Sequence, residues 1–445
     1  MSLGVFLAIS VFFVGLFGGI PLGWLFIASS ATGIIVAGMP LSFVANTFYH
    51  SLNSYVIMAI AFFVYAGSLI SEAGLADRIV RFSYALVGRI RGGMEAVGIV
   101  STIFLSALTG SSVPCISALI PLLVPRLEKY GYKREYTTAI LCSSSFMGYL
   151  IPPSVPALIY CLVAQQSVSA IFLSTVFPGL ILALGYAILN YFICPRYMDE
   201  KKASEITEEV LSFRERLLEL RNSTWVALPA LGCPLVILIG IYGGICTPNE
   251  AGAIAVIYCM IIGFWVYREL TMRKLWSATY SSLISMGVIA ILIASGTVFA
   301  RYLIRVGVAQ QLAGFILGMF DSKVLILLSL NIFLLLLGMF MDGVPVLILS
   351  VPLILPLMNE IGVNLVHLGA IVILNVGLGV VTPPFAMSIF VGSRLSGCSY
   401  SELVPIMILF LIFVGIPVLL LTTYIPALSC WLPSIVLGPQ VVGAW

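Results

Sequence analysis

The chain has 445 residues, of which 61% are hydrophobic and only 9% are charged, and its formal net charge is +3. A soluble domain is excluded, because many apolar runs reach the roughly 20 residues that a helix needs to cross a bilayer. The basic residues lie in short clusters between these runs, so the charge gives no indication of nucleic-acid binding. We therefore predict an all-α polytopic membrane protein surrounded by the lipid bilayer.

The first apolar runs are predicted to be spans. Residues 1–38 hold two runs interrupted at Gly18–Pro21, and no small-residue cleavage pattern follows the first of them, so it is not interpreted as a removed signal. A further span covers about 55–72. The arginine-containing segment over 71–93 is amphipathic, and we expect it to lie at the membrane interface.

A re-entrant hairpin is predicted at about 95–125. The apolar stretch there is broken over Thr109–Pro114, which leaves two halves that are each too short to cross a bilayer. A basic loop follows it. The next apolar helix, at about 134–166, precedes a span that ends near Cys194.

Adjacent prolines break the helix at about 134–166. Pro152 and Pro153 have no N–H, so the carbonyls of Gly148 and Tyr149 lose their helical partners. A backbone break within a bilayer is tolerated only where it is buried in protein or lines a polar cavity. The break therefore predicts a binding site, with a packed proline kink as the alternative.

The second half of the chain follows the same plan. Residues 195–224 mix acidic, basic and apolar positions and are predicted to be an amphipathic cytoplasmic linker. After it come spans at about 225–245, 250–268 and 278–300, a hairpin at about 324–356 broken at Gly338–Gly343, a broken helix at about 366–398, a last span from about 403, and a C-terminal tail at 429–445.

An internal repeat relates the two halves at an offset of 231 residues. Seven glycines and prolines recur at this offset: Pro114, Pro121, Pro125, Gly131, Gly148, Pro152 and Pro153 map to Pro345, Pro352, Pro356, Gly362, Gly379, Pro383 and Pro384. Such self-similarity is the mark of a repeat architecture. We predict two repeats, at 1–194 and 225–428.

The repeats are predicted to be inverted in the membrane. With five crossings per half and the linker in the cytoplasm, 18 of the 21 Lys and Arg residues lie inside, and only Arg301, Arg305 and Lys323 lie outside. This asymmetry is what the positive-inside rule requires. Both chain ends are then periplasmic.

Inverted repeats with paired hairpins and broken helices are typical of secondary transporters. Freed carbonyls, here of Gly148 and Gly379, can coordinate Na⁺, while helix N-termini that restart after Pro153 and Pro384 attract an anion. The hydroxyl groups that concentrate at the breaks could complete the coordination, although a single serine in a helix more often bonds to its own backbone. They belong to Ser111, Ser112, Ser143, Ser144, Ser145 and Thr382.

Asp342 is a carboxylate at the break of the second hairpin, and a charge at mid-membrane is functional by default. It is predicted to bind a cation or to organise a cation site. The alternative is a cap on the following helix. Its counterpart in the first hairpin is the uncharged Ser111, so the two sites differ in chemistry.

With these motifs, the chain resembles the large membrane subunit (the M subunit of the dicarboxylate/sialate type) of tripartite ATP-independent periplasmic (TRAP) transporters. The resemblance covers nearly the whole chain in order. It rests on Gly110–Val113, Ser143–Tyr160, Gly243–Ala251, Gly338–Asp342 and Leu378–Pro384.

The resemblance implies an elevator-type, Na⁺-driven importer of a small organic anion in the bacterial inner membrane. It also implies two partners, a small four-helix membrane subunit and a periplasmic substrate-binding protein. Na⁺ sites would fall at Ser111, Ser112, Ser145, Gly148 and Pro152 in one half and at Gly338, Gly379 and Thr382 in the other. Substrate contacts are expected at Ser112, Ser154, Asp342 and Pro384.

The chain departs from the family pattern directly after Gly110–Val113. The family usually has small residues there, often Ala-Asp or Ala-Thr, whereas this chain has Pro114 and Cys115. A carboxylate role at that place is lost, and the substrate preference of the family does not carry across. The transported substrate could be a C4-dicarboxylate, sialic acid or a related carboxylate.

Three other functions are weighed against this one. A divalent-anion/Na⁺ symporter of similar architecture would need no binding protein. A channel would need a continuous polar pore instead of two proline-broken sites. An intramembrane enzyme would need a Ser/His pair or two aspartates within the spans, and only Asp342 qualifies, so the chain is not predicted to be an enzyme.

Overall fold

The protein is helical throughout the residues that the structure, a computed structural model, describes: 3–88, 93–199 and 213–445. Within these residues, eight helices are long and apolar enough to cross a membrane, and the number rises to nine if the bent pair of helices within Arg134–Ala164 counts as one span. The prediction of an all-α polytopic membrane protein is confirmed. Arg89 and Arg91 of the amphipathic segment lie outside the described residues, as do residues 200–212 of the linker.

Residues 3–88 and 93–199 form eleven helices. They are α1 (Leu3–Phe17), α2 (Leu22–Val36), α3 (Ser42–Leu52), α4 (Tyr55–Glu72), α5 (Leu75–Val87), α6 (Gly93–Thr109), α7 (Ser112–Lys129), α8 (Arg134–Ser144), α9 (Met147–Leu150), α10 (Val155–Ala164) and α11 (Val168–Ile193). A 3₁₀ turn, Cys194–Tyr197, follows α11.

Residues 213–445 form twelve helices. They are α12 (Phe213–Tyr242), α13 (Pro248–Ile261), α14 (Met272–Arg305), α15 (Val308–Met319), α16 (Lys323–Phe340), α17 (Gly343–Glu360), α18 (Leu365–Val381), α19 (Met387–Ser396), α20 (Tyr400–Phe410), α21 (Ile416–Tyr424), α22 (Ala427–Leu437) and α23 (Pro439–Val442). The π turns Ile262–Val266 and Leu411–Gly415 extend α13 and join α20 to α21.

One group of helices packs around α14, which contacts both α2 and α4. Helix α1 packs on α2, and α13 packs on α4. Phe12, Phe26 and Phe299 join α1, α2 and α14, with ring centroids 5.5 to 5.9 Å apart. Each ring is no more than 5% exposed, so this aromatic cluster fixes the three helices to one another.

The two predicted hairpin regions each contain a helix pair with a short connection. Helices α6 and α7 are joined by Gly110 and Ser111, and α16 and α17 are joined by Met341 and Asp342. Both breaks are narrower than the sequence suggested. The second is narrower because α16 continues through Gly338 to Phe340, and the first is narrower because Pro114 lies in the first turn of α7. Proline is tolerated there, since the first N–H groups of a helix have no intrahelical partner.

Both proline-containing helices are interrupted near the predicted positions. The first restarts at Val155, with Ser154 at the N-cap, where its Oγ accepts a hydrogen bond from the N–H of Ala157 at 3.3 Å. The second ends at Val381 and restarts at Met387. The first also has a short interruption before Met147 that the sequence did not predict.

Two predicted boundaries differ from the structure. Helix α12 runs without a break from Phe213 to Tyr242, so the linker does not end at residue 224 but continues into the following span. The boundary at 428 falls inside α22. The segment 427–445 is therefore mainly helical, and it packs on α11 and α18.

The C-terminal segment is also bonded to the start of α18. The Nδ2 of Asn364 donates to the carbonyls of Val442 at 2.6 Å and Ala444 at 3.0 Å. The buried His367 lies 2.6 Å from the Oγ of Ser429 through its Nδ1. These contacts tie residues 427–445 to the helix that precedes the second break.

Candidate functional site

The tip of the first hairpin packs directly against the first broken helix. A Cβ atom at Gly148 would lie 3.1 Å from the carbonyl carbon and oxygen of Ser111, and one at Gly110 would lie 2.7 Å from the carbonyl oxygen of Pro153. Gly110 has a φ of +61°, which L side chains rarely adopt. The carbonyl of Gly110 also accepts from the N–H of Val155 at 3.3 Å. Glycine is required at both positions for this approach.

The second hairpin approaches the second broken helix through a glycine pair. A Cβ atom at Gly338 would lie 2.8 Å from the Cα of Gly379, and one at Gly379 would lie 2.6 Å from the Cα of Gly338. Helices α16 and α18 therefore cross with their backbones in contact. Here the contact joins two helices, whereas in the first half it joins a helix to a hairpin loop.

Several buried hydroxyl groups surround the first junction. The Oγ atoms of Ser112 and Ser143 are buried and have no hydrogen-bond partner in the part of the chain that the structure describes. The Oγ of Ser145 donates to the carbonyl of Cys142 at 2.7 Å and lies 3.4 Å from the Oγ of Ser388, so it joins the two halves. These oxygens retain lone pairs that could coordinate a hard cation.

The carbonyls next to the prolines are not all free. The carbonyl of Gly379 accepts from the N–H of Thr382 at 3.0 Å, so the prediction that the prolines leave it without a partner was wrong. The chain turns after Val381, which brings the N–H of Thr382 back to this carbonyl. The carbonyl of Tyr149 similarly accepts from the Oγ of Ser154 at 2.7 Å.

Thr382 and Asp342 are both placed at helix ends. The Oγ1 of Thr382 donates to the carbonyl of Leu378 at 2.6 Å. Asp342 occupies the N-cap position of α17, but its side chain makes no capping hydrogen bond. Instead its Oδ1 accepts from the Oη of Tyr149 at 3.4 Å. The carboxylate thus faces the first broken helix.

A cavity of about 490 Å³ lies between the two hairpin tips and helices α4 and α14. Ser111 and Asp342 both line it, and Tyr149 lies between them. It extends to Glu72 in the last turn of α4. Its lining is apolar or hydroxyl-bearing apart from Glu72 and Asp342, and no Lys, Arg or His is among the described residues that line it.

The structure brings some of the predicted site residues together and separates others. Ser112 and Ser154 are buried beside the cavity but do not line it, whereas Pro384 is exposed and its carbonyl accepts from the Oη of Tyr400 at 2.5 Å. Pro152 is buried behind the first break. The predicted Na⁺ residues thus form two separate junctions, and Pro384 lies apart from the cavity.

Sequence reasoning missed Tyr149 and the serines of α14 as parts of this cavity. Tyr149 stands inside the broken stretch, three residues before Pro152, and that position was a usable signal. Ser281 and Ser285 are spaced four residues apart in an apolar helix, which places both on one face. Polar residues on one face of a span indicate a cavity.

Comparison with known families supplies the assignment. The family model described as "Tripartite ATP-independent periplasmic transporter, DctM component" matches residues 9–428. The chain belongs to the DctM family. The resemblance seen in the sequence motifs is therefore confirmed, and this DctM-family permease is a multi-pass membrane protein and not an enzyme.

Curated relatives align over most of this permease. It is 31% identical over 426 residues to the sialic acid TRAP transporter large permease protein SiaM of Vibrio cholerae, covering 95% of this chain and 97% of the relative. It is 30% identical over 430 residues to the C4-dicarboxylate TRAP transporter large permease protein DctM of the same organism, covering 90% of this chain and 91% of the relative.

A third relative is longer than this chain. The isethionate TRAP transporter permease protein DctMQ of Oleidesulfovibrio alaskensis is 33% identical over 412 residues, which are 92% of this chain but only 63% of the relative. Among solved structures, the Alcanivorax borkumensis YdaH transporter aligns with a TM-score of 0.61 at 14% identity, over 85% of this chain and 86% of YdaH. This last likeness concerns the fold alone.

Proposed function

We propose that this permease carries a small organic anion into the cell across the bacterial inner membrane, together with Na⁺. The observation that carries the proposal is the cavity in which both hairpin tips meet, since Ser111 and Asp342 line it from opposite halves of the chain. The names of the relatives give the substrate class: isethionate, sialic acid and C4-dicarboxylates are all small organic anions.

The charge of the cavity supports coupling to Na⁺. Among the described residues, its lining contains two carboxylates and no cationic side chain, so a bare anion would be repelled there. Na⁺ bound at the two glycine-rich junctions would supply the missing positive charge. The hydroxyls of Ser112, Ser145 and Thr382 would serve as oxygen donors at these junctions, and Asp342 would add charge on one side. Na⁺ is thus a co-substrate on which anion binding depends.

The position of the cavity supports an elevator mechanism. It lies between the hairpins and broken helices, at about 95–166 and 324–398, and the helices α4 and α14. In the proposal, the hairpins and broken helices move as one body against α4 and α14. The inverted repeats provide equivalent end states on the two sides of the membrane. The linker is cytoplasmic and both chain ends are periplasmic.

Two partner proteins complete the proposal. A small four-helix membrane subunit would brace the helices around α14, and a periplasmic binding protein would deliver the anion. The isethionate relative DctMQ supports the membrane subunit, since its name joins M and Q and this chain spans only 63% of its length. The DctM family supports the binding protein, since its transporters are tripartite.

The test is uptake into liposomes that contain the permease and its small subunit. Isethionate, sialic acid and succinate are offered with the cognate binding protein, with and without an inward Na⁺ gradient. We expect uptake of one anion that needs both the gradient and the binding protein, and Asp342→Asn should reduce it. Uptake without the gradient would overturn Na⁺ coupling, and uptake without the binding protein would favour a two-component symporter.

A further inference from the structure

A second cavity, of about 390 Å³, lies away from the proposed transport site. It is bounded by the amphipathic helix α5, by α6 and α7, and by Ser223 of α12. One wall is apolar and deeply buried: Val97 and Leu123 are only 2% and 3% exposed. Tyr84 and Tyr130 lie nearer to the rim.

Two arginines stand at the rim of this cavity and share one carboxylate. The Nε of Arg81 lies 2.8 Å from one carboxylate oxygen of Asp77, and the Nη2 of Arg126 lies 3.1 Å from the other. Their side chains are 66% and 49% exposed. Each guanidinium carries five N–H donors, so donors remain on both, and the group of three side chains keeps one net positive charge.

We propose that this cavity binds a phospholipid with an anionic headgroup. The phosphate would lie between Arg81 and Arg126, and an acyl chain would follow the wall of Val97 and Leu123. Basic pockets between membrane helices bind anionic headgroups, and a guanidinium pairs with a phosphate through parallel hydrogen bonds. The lipid belongs to the cytoplasmic leaflet, because the proposed orientation places the basic clusters on the cytoplasmic side of the membrane.

The apolar wall distinguishes a lipid from a soluble phosphate. A free phosphate would use the arginines but would leave the buried face of Val97 and Leu123 without a partner. A lipid uses both parts, because its headgroup is polar and its chain is apolar. The lipid would also bridge α5 to the first hairpin, since Arg81 lies on α5 and Arg126 lies on α7.

The experiment is a native mass spectrometry titration of the purified full chain in detergent with dioleoyl phosphatidylglycerol. Arg81→Gln with Arg126→Gln should weaken the tightest lipid adduct by roughly 25-fold, at about 5-fold for each arginine near a charged surface. The matched control is Arg301→Gln with Arg305→Gln, two exposed arginines of α14 outside the cavity, which should leave this adduct unchanged. Size-exclusion profiles check that each variant is folded.

Further measurements make the proposal falsifiable. Asp77→Asn should strengthen the adduct, because the competing carboxylate charge is gone, whereas a purely structural ion-pair cluster gives no such gain. Dioleoyl phosphatidylcholine should bind more weakly. Equal loss in the control variant, or competition by millimolar inorganic phosphate as effective as by the lipid, would overturn the lipid site.

Discussion

At the scale of single residues, the two junctions depend on glycines that allow backbone to touch backbone. A Cβ atom added to either Gly338 or Gly379 would lie less than 3 Å from the Cα of the other glycine. A flexible neighbour could move aside for a methyl group, but a backbone atom in a packed helix cannot do so cheaply. These glycines are therefore needed for packing, whatever ion the junction binds.

Gly338→Ala should lower the free energy of unfolding by about 2 kcal/mol, because the new methyl group overpacks the crossing of α16 and α18. Gly314→Ala is the matched control, since nothing lies within 4 Å of a Cβ at Gly314 in α15. Thermal unfolding in detergent measures both. An equal Tm for the two variants would contradict the close crossing.

The sequence predicted the positions of single residues better than it predicted their hydrogen bonds. The glycine and proline spacing was enough to predict where Gly148 and Gly379 would lie relative to the breaks. It could not predict that Gly379 keeps a hydrogen-bonded carbonyl, because the N–H of Thr382 reaches it only through the local turn. The family resemblance placed Pro384 at the substrate site, yet it is exposed and does not line the cavity.

At the scale of elements, one side chain organises the first break. The Oγ of Ser154 accepts from the N–H of Ala157 and donates to the carbonyl of Tyr149, so it caps α10 and satisfies the end of α9. Both groups are buried, and buried backbone groups without partners are costly. The break is therefore held by a specific hydroxyl in addition to the prolines.

Ser154→Ala should cost about 2 kcal/mol of stability, since it removes a helix cap and also leaves the Tyr149 carbonyl without its donor. Ser167→Ala is the comparison: Ser167 caps α11 by accepting from the N–H of Ala170 at 3.4 Å, and its loss should cost less. Denaturation of both variants in detergent decides. The break would not depend on Ser154 if the two variants were equally stable.

Element boundaries were predicted well where sequence punctuation is local. The span at 55–72 matches Tyr55–Glu72. The break of the first hairpin was predicted too wide, because proline in the first turn of a helix looks the same in sequence as proline in a loop. The end of the linker was placed at a change of composition, but the helix from Phe213 continues across it, since both polar and apolar residues can form helix.

At the scale of the whole molecule, the cavity depends on contacts between distant parts of the chain. Tyr149 and Asp342 are 193 residues apart, and Ser145 and Ser388 are 243 apart. Periodicity and motif spacing predict each element but not these distances, which follow from how the helices pack. The repeat indicated that the two halves are related, while the α4 and α14 walls of the cavity had no sequence signal except the spacing of the serines.

Ser285→Trp should abolish uptake while leaving the fold intact. Ser285 lies on the wall that α14 contributes to the cavity, and an indole there would occupy space between the hairpin tips and α4. Ile284→Trp is the matched control, because the adjacent Ile284 is 51% exposed and does not line the cavity. Uptake in liposomes and the Tm are measured together. Normal uptake by Ser285→Trp would exclude this cavity as the route.

The bonds between Asn364 and the last residues of the chain have a practical consequence. Because the carbonyls of Val442 and Ala444 are held at the start of α18, a fluorophore placed beside Trp445 would report the position of α18. A second fluorophore near Leu3 would report α1, which packs with α2 in the group around α14. If the proposed elevator movement occurs, energy transfer between these two labels would change with each half-cycle of transport.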